Sequence, residues 1–376
     1  MSKFLTKTFD NSHIFRMTDD TGMFQHARFS IPDLAEGYTS DDNARALIMA
    51  VMLYEKTQKS AYLALVYRYL GFVLYAQSES GRFRNFMTYS RQFTEKEGSE
   101  DCFGRCLWAL AYTQASSMMP VGVKEACAAA VSRALPQIRT LRSSRGQAYA
   151  LIGLGLIDGP EVDGLLSGLA DLLVSRFEHY AGEQGWRWFE DSLTYANAVL
   201  PWALFAAYGR LGQDRLLRVA RESLEFLDRV TFRDGYFRPV GCKGWLVRGA
   251  EQAQYDEQPI EASVATLAHL AAYEATADGT MLELARRSFA WYLGENSRGE
   301  GLIDITTGGC CDGITPDGIN CNQGAESIIG YCLASLALSK YDSIDSEKLA
   351  VVYRLKHQHL NQTSCGRMRF YVINNK

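Results

Sequence analysis

Charged residues recur at the starts of segments that are otherwise apolar. In each case a carboxylate or an arginine sits beside or within a run of small and aliphatic residues, where an unpaired charge is costly. Such charges are tolerated when they face one another across a water-filled space. This pattern selects Asp42, Arg45, Asp101, Arg105, Arg145, Asp191, Glu257, Glu261 and Glu326.

Helix capping explains part of the pattern. Ser40, Ser99 and Ser143 are suitable N-cap residues, and Pro259 suits the first position of a helix. Acidic side chains in a first helical turn also interact favourably with the helix dipole. Capping does not account for arginines on apolar helices. We therefore expect the remaining charges to bind a ligand or to take part in catalysis.

Aromatic residues crowd the loops that precede these segments. Loops cannot bury all of them, and exposed rings beside carboxylates, arginines and amides suit a carbohydrate, which offers apolar ring faces and many hydroxyls. From this set we predict that Tyr89, Trp188 and Tyr195 contact a sugar.

Paired carboxylates supply the chemistry of such a site. Hydrolysis of a glycosidic bond uses two carboxyl groups about the anomeric carbon, one of them protonated. We assign Asp101, which follows Glu100 and precedes apolar residues, as the acid. The base is Glu257 or Glu326, and the sequence leaves this choice open. The residues expected to bind the sugar are Asp42, Arg45, Tyr89, Arg105, Trp188, Asp191, Tyr195 and Glu261.

The elements that carry these residues are almost all helical and are of two kinds. One kind is apolar nearly all round and must be buried, whereas the other is amphipathic and covers it from outside. The buried segments are residues 45–54, 106–112, 147–156, 198–208, 264–273 and 328–338. The amphipathic segments are residues 61–75, 123–138, 162–180, 215–230, 281–292 and 346–357.

The alternation has the spacing of a helical-hairpin repeat. The helices that carry the buried segments are expected to begin 59, 45, 47, 66 and 65 residues apart, which is typical of a repeat architecture. These starts lie near Asp42, Asp101, Gly146, Leu193, Pro259 and Gly324. We predict an all-α (α/α)6 toroid with six inner and six outer helices. An open solenoid is the alternative, but its end repeats would carry polar caps, which the first and last buried segments lack.

The connections predict one elaborated end and a single domain over residues 1–376. The long loops, residues 81–100, 182–191, 233–258 and 299–323, all enter inner helices, so they gather at the same end of the barrel. Residues 1–39 are non-periodic and are expected to be a lead-in or lid across the cup. Residues 365–376 are expected to be an extended tail on the outside.

Composition excludes several classes of function. With 376 residues and 47% hydrophobic content, the chain can bury a large core. The net charge of −4 and the scattered basic residues argue against a nucleic-acid surface. No apolar stretch approaches the ~20 residues that span a bilayer. The first residues lack the apolar core of a secretory signal, so we expect a cytoplasmic protein with no membrane partner.

Metal and cofactor signals are absent from the sequence. The nine cysteines include no C-x-x-C pair, and the six histidines do not group at ligand spacing, so we expect no metal site. No glycine-rich phosphate loop occurs, so we expect no cofactor. Cys310 or Cys311 as a nucleophile is an alternative to two reduced thiols in a packed loop.

Four motifs resemble a bacterial group within the six-hairpin, or (α/α)6-barrel, superfamily of carbohydrate-active enzymes. They are GYTSDDNARAL at residues 37–47, GSEDCFGRCLWAL at 98–110, DEQPIEA at 256–262 and NQGAES at 322–327. That group occurs alone or fused behind glycosyltransferase domains of the GT-B type, which implies a glycosyltransferase as a partner. The resemblance covers nearly the whole chain. The superfamily includes inverting hydrolases, phosphorylases, unsaturated-uronyl hydrolases and epimerases.

Three functions remain open from the sequence. The first is a glycoside hydrolase acting on an oligosaccharide by inversion. The second is a sugar epimerase or isomerase. That branch relies on histidines at the cup, and only His269 lies on an inner helix, far past the mouth, while His13 and His26 lie in the lead-in. The third is a non-catalytic glycan-binding module that partners a glycosyltransferase.

Overall fold

The structure is a computed structural model that describes residues 10–182 and 185–341. These residues form twelve α-helices. A short helix, α1 (Ser12–Arg16), precedes six inner helices, which are α2 (Ser40–Thr57), α4 (Glu100–Ala115), α6 (Ser144–Leu154), α8 (Val199–Leu211), α10 (Pro259–Thr276) and α12 (Ala325–Leu338). Five outer helices alternate with them: α3 (Ser60–Ala76), α5 (Val121–Ala134), α7 (Pro160–Tyr180), α9 (Asp214–Thr231) and α11 (Gly279–Ala290).

The inner helices form a closed ring. Each packs against the inner helix before it and the one after it, and α12 packs against α2. This last contact decides between the toroid and the open solenoid, because a solenoid leaves its first and last repeats apart. The all-α (α/α)6 toroid expected from the sequence is therefore confirmed.

Close approach between inner helices depends on glycine. A Cβ atom added to Gly104 of α4 would lie 2.6 Å from the backbone oxygen of Gly146 on α6. Most residues of each inner helix are buried, as the apolar character of their sequences predicts. In α6, every residue from Ser144 to Leu154 is buried.

The outer helices bury one face only. In α9 the buried positions recur at helical spacing, and the opposite face carries charges. The buried residues of this helix are Leu216, Val219, Ala220, Ser223, Leu224, Phe226, Leu227 and Thr231. The amphipathic segment predicted at residues 346–357 and the tail predicted at 365–376 lie outside the described residues.

Side chains cap three of the inner helices. Ser99 accepts a hydrogen bond from the Cys102 amide at the start of α4, and Ser143 accepts one from the Gly146 amide at the start of α6. Both caps agree with the sequence prediction. The cap of α2 is Thr39 rather than Ser40, whose hydroxyl instead donates to the carbonyl of Arg84.

Short antiparallel strand pairs lie in the loops that enter the inner helices. The paired strands are β1 (Ala27–Arg28) with β2 (Ile31–Pro32), β3 (Tyr38–Thr39) with β4 (Phe86–Met87), β5 (Ser192–Leu193) with β6 (Leu246–Val247), β7 (Ile303–Asp304) with β8 (Gly309–Cys310), and β9 (Gly313–Thr315) with β10 (Gly318–Asn320). Most of these strands have two residues, too few for an alternating pattern to be visible in the sequence.

The lead-in joins the first and last inner helices. The Asn43 side chain of α2 accepts a hydrogen bond from the Met23 amide at 2.8 Å and donates to the Met23 carbonyl at 3.1 Å. Two residues later, the Gln25 carbonyl accepts from the Ala325 amide of α12 at 3.0 Å. The described part of the lead-in is therefore fastened at both sides of the seam between α2 and α12.

Residues Asp10–Leu338 form one compact unit. The second unit, Met1–Phe9 with Ser339–Lys376, lies outside the described residues except for residues 339–341. The single domain over residues 1–376 stays a prediction. None of the helices in the described ranges combines the length and the apolar character that crossing a bilayer requires.

Candidate active site

The first turns of the inner helices lie at the same end of the ring, and we call this set of turns the rim. Side chains connect the turns from helix to helix. Arg105 of α4 pairs with Asp41 of α2. Ser143, which caps α6, donates a hydrogen bond to Asp101 of α4 at 2.7 Å. The predicted gathering of distant charged residues at one end of the barrel is thus present in the structure.

Arg45 brings carboxylates from two helices together. Its Nη2 atom lies 2.8 Å from Asp42 on the same helix and 3.3 Å from Glu326 on α12. Its Nε atom lies 3.4 Å from Asp41. The Glu326 side chain is 38% exposed, whereas those of Asp42 and Arg45 are almost completely buried. Asp42 and Glu326 are therefore close neighbours, and Glu326 is the more exposed of the two.

The carboxyl of Asp42 retains a proton up to nearly neutral pH. Burial raises the pKa of Asp42 from 3.8 to about 6, although the Arg45 charge and the Thr39 hydrogen bond oppose this rise. The nearby charges of Asp41 and Glu326 add to it.

Asp41 behaves in the opposite way. Burial favours its neutral form, but the charges of Arg105 and Arg45 outweigh burial and hold the pKa of Asp41 below its usual value. Arg105 also lies over the ring of Tyr149, with 4.7 Å between its guanidinium carbon and the ring centroid. Asp41 thus works as the fixed counter-ion of two buried arginines.

Asp101 is held by two hydroxyl groups. Ser143 donates to one carboxylate oxygen at 2.7 Å, and the phenol of Tyr195 donates to the other at 2.6 Å. The Tyr195 residue is 37% exposed, and its ring centroid lies 6.2 Å from that of Trp245. Asp101 and Tyr195, both predicted from the sequence to be site residues, are therefore in contact.

Arg145 supports this region from α6. It forms an ion pair with Glu190 at 3.1 Å and donates to the Thr194 hydroxyl at 2.7 Å. Its guanidinium carbon lies 4.6 Å from the centroid of the Tyr195 ring. The buried arginine is therefore paired, as expected for a charge on an apolar helix.

Glu261 contacts backbone rather than open space. It is buried in the first turn of α10 and accepts hydrogen bonds from the amides of Ala196 and Asn197 and from the Asn197 side chain. Burial raises the pKa of Glu261 from 4.5 to about 7, against the effect of these donors.

The partners of Glu257 are Trp291 and Arg238 rather than the residues that hold the other rim carboxylates. Glu257 is 0% exposed, and Trp291 donates its indole N–H to the carboxylate at 2.8 Å. Arg238 lies 3.5 Å away. Burial raises the pKa of Glu257. The structure gives this carboxylate no contact with Asp101 or Glu326 and no surface for a substrate. Of the two bases that the sequence left open, Glu326 alone is exposed at the rim.

Of three further residues predicted to bind sugar, Trp188 is placed differently from that expectation. Trp188 is 0% exposed and packs against Phe189 and Phe226, so the ring offers no face to a ligand. Asp191 is exposed and lies 3.6 Å from Arg248. Tyr89 is exposed and stacks loosely on Phe24 of the lead-in, which agrees with a role at the mouth.

The histidines do not assemble at the rim in the described residues. His269 is buried and contacts Asp228 at 3.0 Å and the carbonyl of Ala265. His13 is buried against the carbonyl of Gln323, and burial lowers its pKa. His26 is exposed in the lead-in.

The thiols that could serve as nucleophiles are buried. Burial raises the pKa of Cys310 and raises that of Cys311 to about 12, so little thiolate is present at neutral pH. This favours the interpretation as reduced thiols in a packed loop. Among the described residues, no cluster of three histidine, cysteine or acidic side chains has the arrangement of a metal site.

Two rim residues were not selected from the sequence. Asp41 pairs with two arginines, and a signal was available because Asp41 lies four residues before Arg45, the spacing of a helical ion pair. Thr39 donates to Asp42 at 2.6 Å and caps α2. Its role could have been inferred from the Thr-x-x-Asp spacing of a capping box.

No protein-family model matches the sequence, and no curated protein matches it. Solved structures do. A cellobiose 2-epimerase from Bacillus thermoamylovorans has a TM-score of 0.70 at 12% identity, covering 92% of this chain and 100% of that one. A sugar epimerase from a ruminal bacterium has a TM-score of 0.71 at 14% identity, covering 91% and 98%.

An α-1,6-mannanase from Salegentibacter is also similar, with a TM-score of 0.62 at 12% identity, covering 89% of this chain and 98% of that one. These neighbours are (α/α)6-barrel enzymes of the six-hairpin superfamily. The chain therefore has the fold of that superfamily, as its motifs indicated.

Proposed function

We propose that this chain is a carbohydrate-processing enzyme and, more narrowly, a glycoside hydrolase acting on an oligosaccharide. The observation that carries the proposal is the convergence of Asp42 and Glu326 on one nitrogen atom of Arg45. Two neighbouring carboxyl groups in unequal surroundings are what acid and base catalysis of glycosidic cleavage require.

In this proposal the buried member of the pair is the acid. The pKa of Asp42, raised to about 6 by burial, lets a fraction of this carboxyl carry a proton at neutral pH. Glu326, which is exposed and lies beside the Arg45 guanidinium, acts as the base or nucleophile.

Asp101 is the alternative acid, as expected from the sequence. It lies on α4, one inner helix further from Glu326 than Asp42. The two assignments differ in stereochemistry. A closely spaced pair favours retention through a covalent intermediate, whereas a wider pair leaves room for water and gives inversion. Asp42 with Glu326 predicts retention, and Asp101 with Glu326 predicts the inversion expected from the sequence.

Substitution of the three carboxylates tests the proposal. On a panel of oligosaccharides that includes cello- and α-1,6-manno-oligosaccharides, Asp42→Asn and Glu326→Gln should each lower kcat by about 10²- to 10⁴-fold. Asp101→Asn should mainly raise KM. Asp214→Asn and Glu125→Gln, at exposed positions of outer helices, are the matched controls.

Proton NMR of the first-formed anomer reports retention or inversion. Near-normal turnover in both Asp42→Asn and Glu326→Gln would remove the assignment.

An epimerase or isomerase is the second candidate. It is favoured by the TM-scores, which are higher for the two epimerases than for the mannanase. Its chemistry would draw on His26, since the neighbouring Gln25 is hydrogen-bonded to the start of α12 beside Glu326. A product of unchanged mass, formed without any new reducing end, identifies this activity and excludes hydrolysis.

A glycan-binding module that serves a glycosyltransferase is the third candidate. Its expected result is saturable binding of an oligosaccharide with no turnover in either assay.

A further inference from the structure

The turn formed by residues 194–197 brings the rim aromatic Tyr195 to Asp101. This turn, which we call the Tyr195 turn, precedes α8. Its backbone has one unusual residue: Ala196 has a φ of 45°, in the left-handed region that residues other than glycine seldom adopt. Such a conformation is strained and persists only when the surroundings impose it.

Glu261 supplies that restraint from behind. Its two carboxylate oxygens accept from the Ala196 amide, from the Asn197 amide at 3.3 Å and from the Asn197 side chain at 3.2 Å. Asn197 then closes the turn, because its side chain accepts from the Thr194 amide at 2.9 Å and donates to the Thr194 carbonyl at 2.8 Å.

Arg145 holds the turn from the other side. Its Nε atom donates to the Tyr195 carbonyl at 2.5 Å, and its Nη2 atom donates to the Thr194 hydroxyl at 2.7 Å. The guanidinium also covers the Tyr195 ring. The remaining surface of this ring is exposed and adjoins Trp245 and Asp101. The Tyr195 turn is thus held between a buried cation and a buried carboxylate while its aromatic ring stays accessible.

We propose that Glu261 is a positioning residue that does not touch the sugar but imposes the left-handed turn at Ala196, so that Tyr195 presents its ring to a pyranose beside Asp101. The sugar as ligand rests on the proposed function, whereas the restraint of the turn does not. This assigns Glu261 a role different from the direct sugar contact expected from the sequence.

The chemistry of the position favours a carboxylate. Three N–H donors converge on Glu261, and a carboxylate offers two acceptor oxygens, whereas a glutamine amide would place its own N–H groups against one of the donors. Burial disfavours the charged form of a carboxyl group at this position, as the raised pKa of Glu261 shows. A buried group that is costly in this way is expected where geometry matters more than stability.

A rescue experiment separates positioning from a general structural role. Glu261→Gln should loosen the turn, and adding Ala196→Gly should restore it, because glycine adopts a positive φ without strain. The reporter is hydrogen exchange at the Thr194 amide, whose acceptor is Asn197 and not Glu261. We expect the Thr194 amide to exchange about tenfold faster in Glu261→Gln than in the wild type. The double variant should recover at least half of the lost protection, measured on a logarithmic scale.

Glu257→Gln is the matched control, since Glu257 is a buried glutamate in contact with Trp291 rather than with the Tyr195 turn. It should leave exchange at Thr194 unchanged. Calorimetric binding of cellobiose and of α-1,6-mannobiose forms the second arm. For a disaccharide that binds, Kd should rise about tenfold in Glu261→Gln and fall again in the double variant.

The two arms keep the two proposals apart. Unchanged exchange at Thr194 in Glu261→Gln, or no recovery with Ala196→Gly, would overturn the positioning role. A third outcome is that exchange at Thr194 changes in the variants as predicted, but the wild type neither binds nor turns over either disaccharide. This would support the restraint of the turn and count against the proposed function. Weakened binding that Ala196→Gly does not restore would indicate direct contact between Glu261 and the sugar.

Discussion

The carboxylates of the rim share one functional group but have different surroundings. Asp41 is surrounded by two arginines, Asp42 is buried beside one arginine and two acids, and Glu261 is buried among N–H donors. The pKa of Asp41 is lowered, whereas those of Asp42 and Glu261 are raised. Environment rather than side-chain chemistry therefore separates a permanent counter-ion from groups that exchange protons near neutral pH.

Removal of Arg45 should be costly, and the cost should depend on pH. Arg45→Met leaves Asp42 buried without its cation, so the free energy of unfolding at pH 7.5 should fall by about 3 kcal/mol. At pH 5 the loss should be smaller, because Asp42, with a pKa of about 6, then carries a proton. Urea unfolding followed by fluorescence measures both values.

The matched control is Arg215→Met, since Arg215 forms an exposed ion pair with Asp171. Its free energy of unfolding should change by about 0.5 kcal/mol or less. Equal losses for Arg45→Met at the two pH values would contradict the role given to the Asp42 charge.

Glu261 should make the protein less stable as the pH rises. Its folded pKa of about 7 exceeds the ordinary value of 4.5, so the folded state binds the proton more tightly than the unfolded state. The stabilisation that this tighter proton binding gives the folded state is fully present below pH 4.5 and is lost as the pH rises through 7. The free energy of unfolding of the wild type minus that of Glu261→Gln should therefore decrease between these values and then level off. A difference independent of pH would show that Glu261 does not titrate as described.

Residue types predicted the composition of the rim better than the direction of each side chain. Asp42, Arg45 and Glu326 were expected at the site and do meet there. Glu257 was expected with them, but its backbone pairs with Ile314 and its side chain turns toward Trp291. Four residues on, the Glu261 side chain contacts the turn before α8 instead. The orientation of Glu257 depends on this pairing with a distant loop. The periodicity of the sequence around Glu257 carries no information about such a pairing.

At the scale of elements, the pair α4 and α6 depends on small residues at their contact. Gly104→Ala would place a methyl group 2.6 Å from the backbone oxygen of Gly146, so the helices must separate. We expect the free energy of unfolding to fall by about 1–3 kcal/mol. Chemical denaturation of the single variant measures this loss.

Gly71→Ala on the outer helix α3 provides the comparison. No atom lies within 4 Å of an added methyl group there, so only helix propensity changes. The free energy of unfolding should rise by about 0.5–1 kcal/mol. Similar effects of the two substitutions would show that α4 and α6 do not approach as closely as described.

Helices were predictable because their patterns are long. The buried stretch predicted at residues 264–273 lies inside α10, and the amphipathic stretch at 162–180 lies inside α7. The strand pairs were not predicted. Their pairing, such as β5 with β6, joins loops about 50 residues apart and depends on helix packing.

On the scale of the whole ring, closure should make unfolding cooperative. Every inner helix contacts two inner neighbours, so no end repeat can fray first, as it would in an open solenoid. We expect urea transitions followed by tryptophan fluorescence and by far-UV circular dichroism to coincide. A fluorescence transition that clearly precedes the loss of helicity would contradict this expectation.

The contact between α2 and α12 also has a consequence for biosynthesis. Arg45 and Glu326 meet across that seam although 281 positions separate them in the chain. A growing polypeptide displays Asp42 and Arg45 long before Glu326 leaves the ribosome. Under the proposed function, nascent chains and fragments truncated before α12 should therefore show no turnover, and its appearance would mark the moment when the ring is complete.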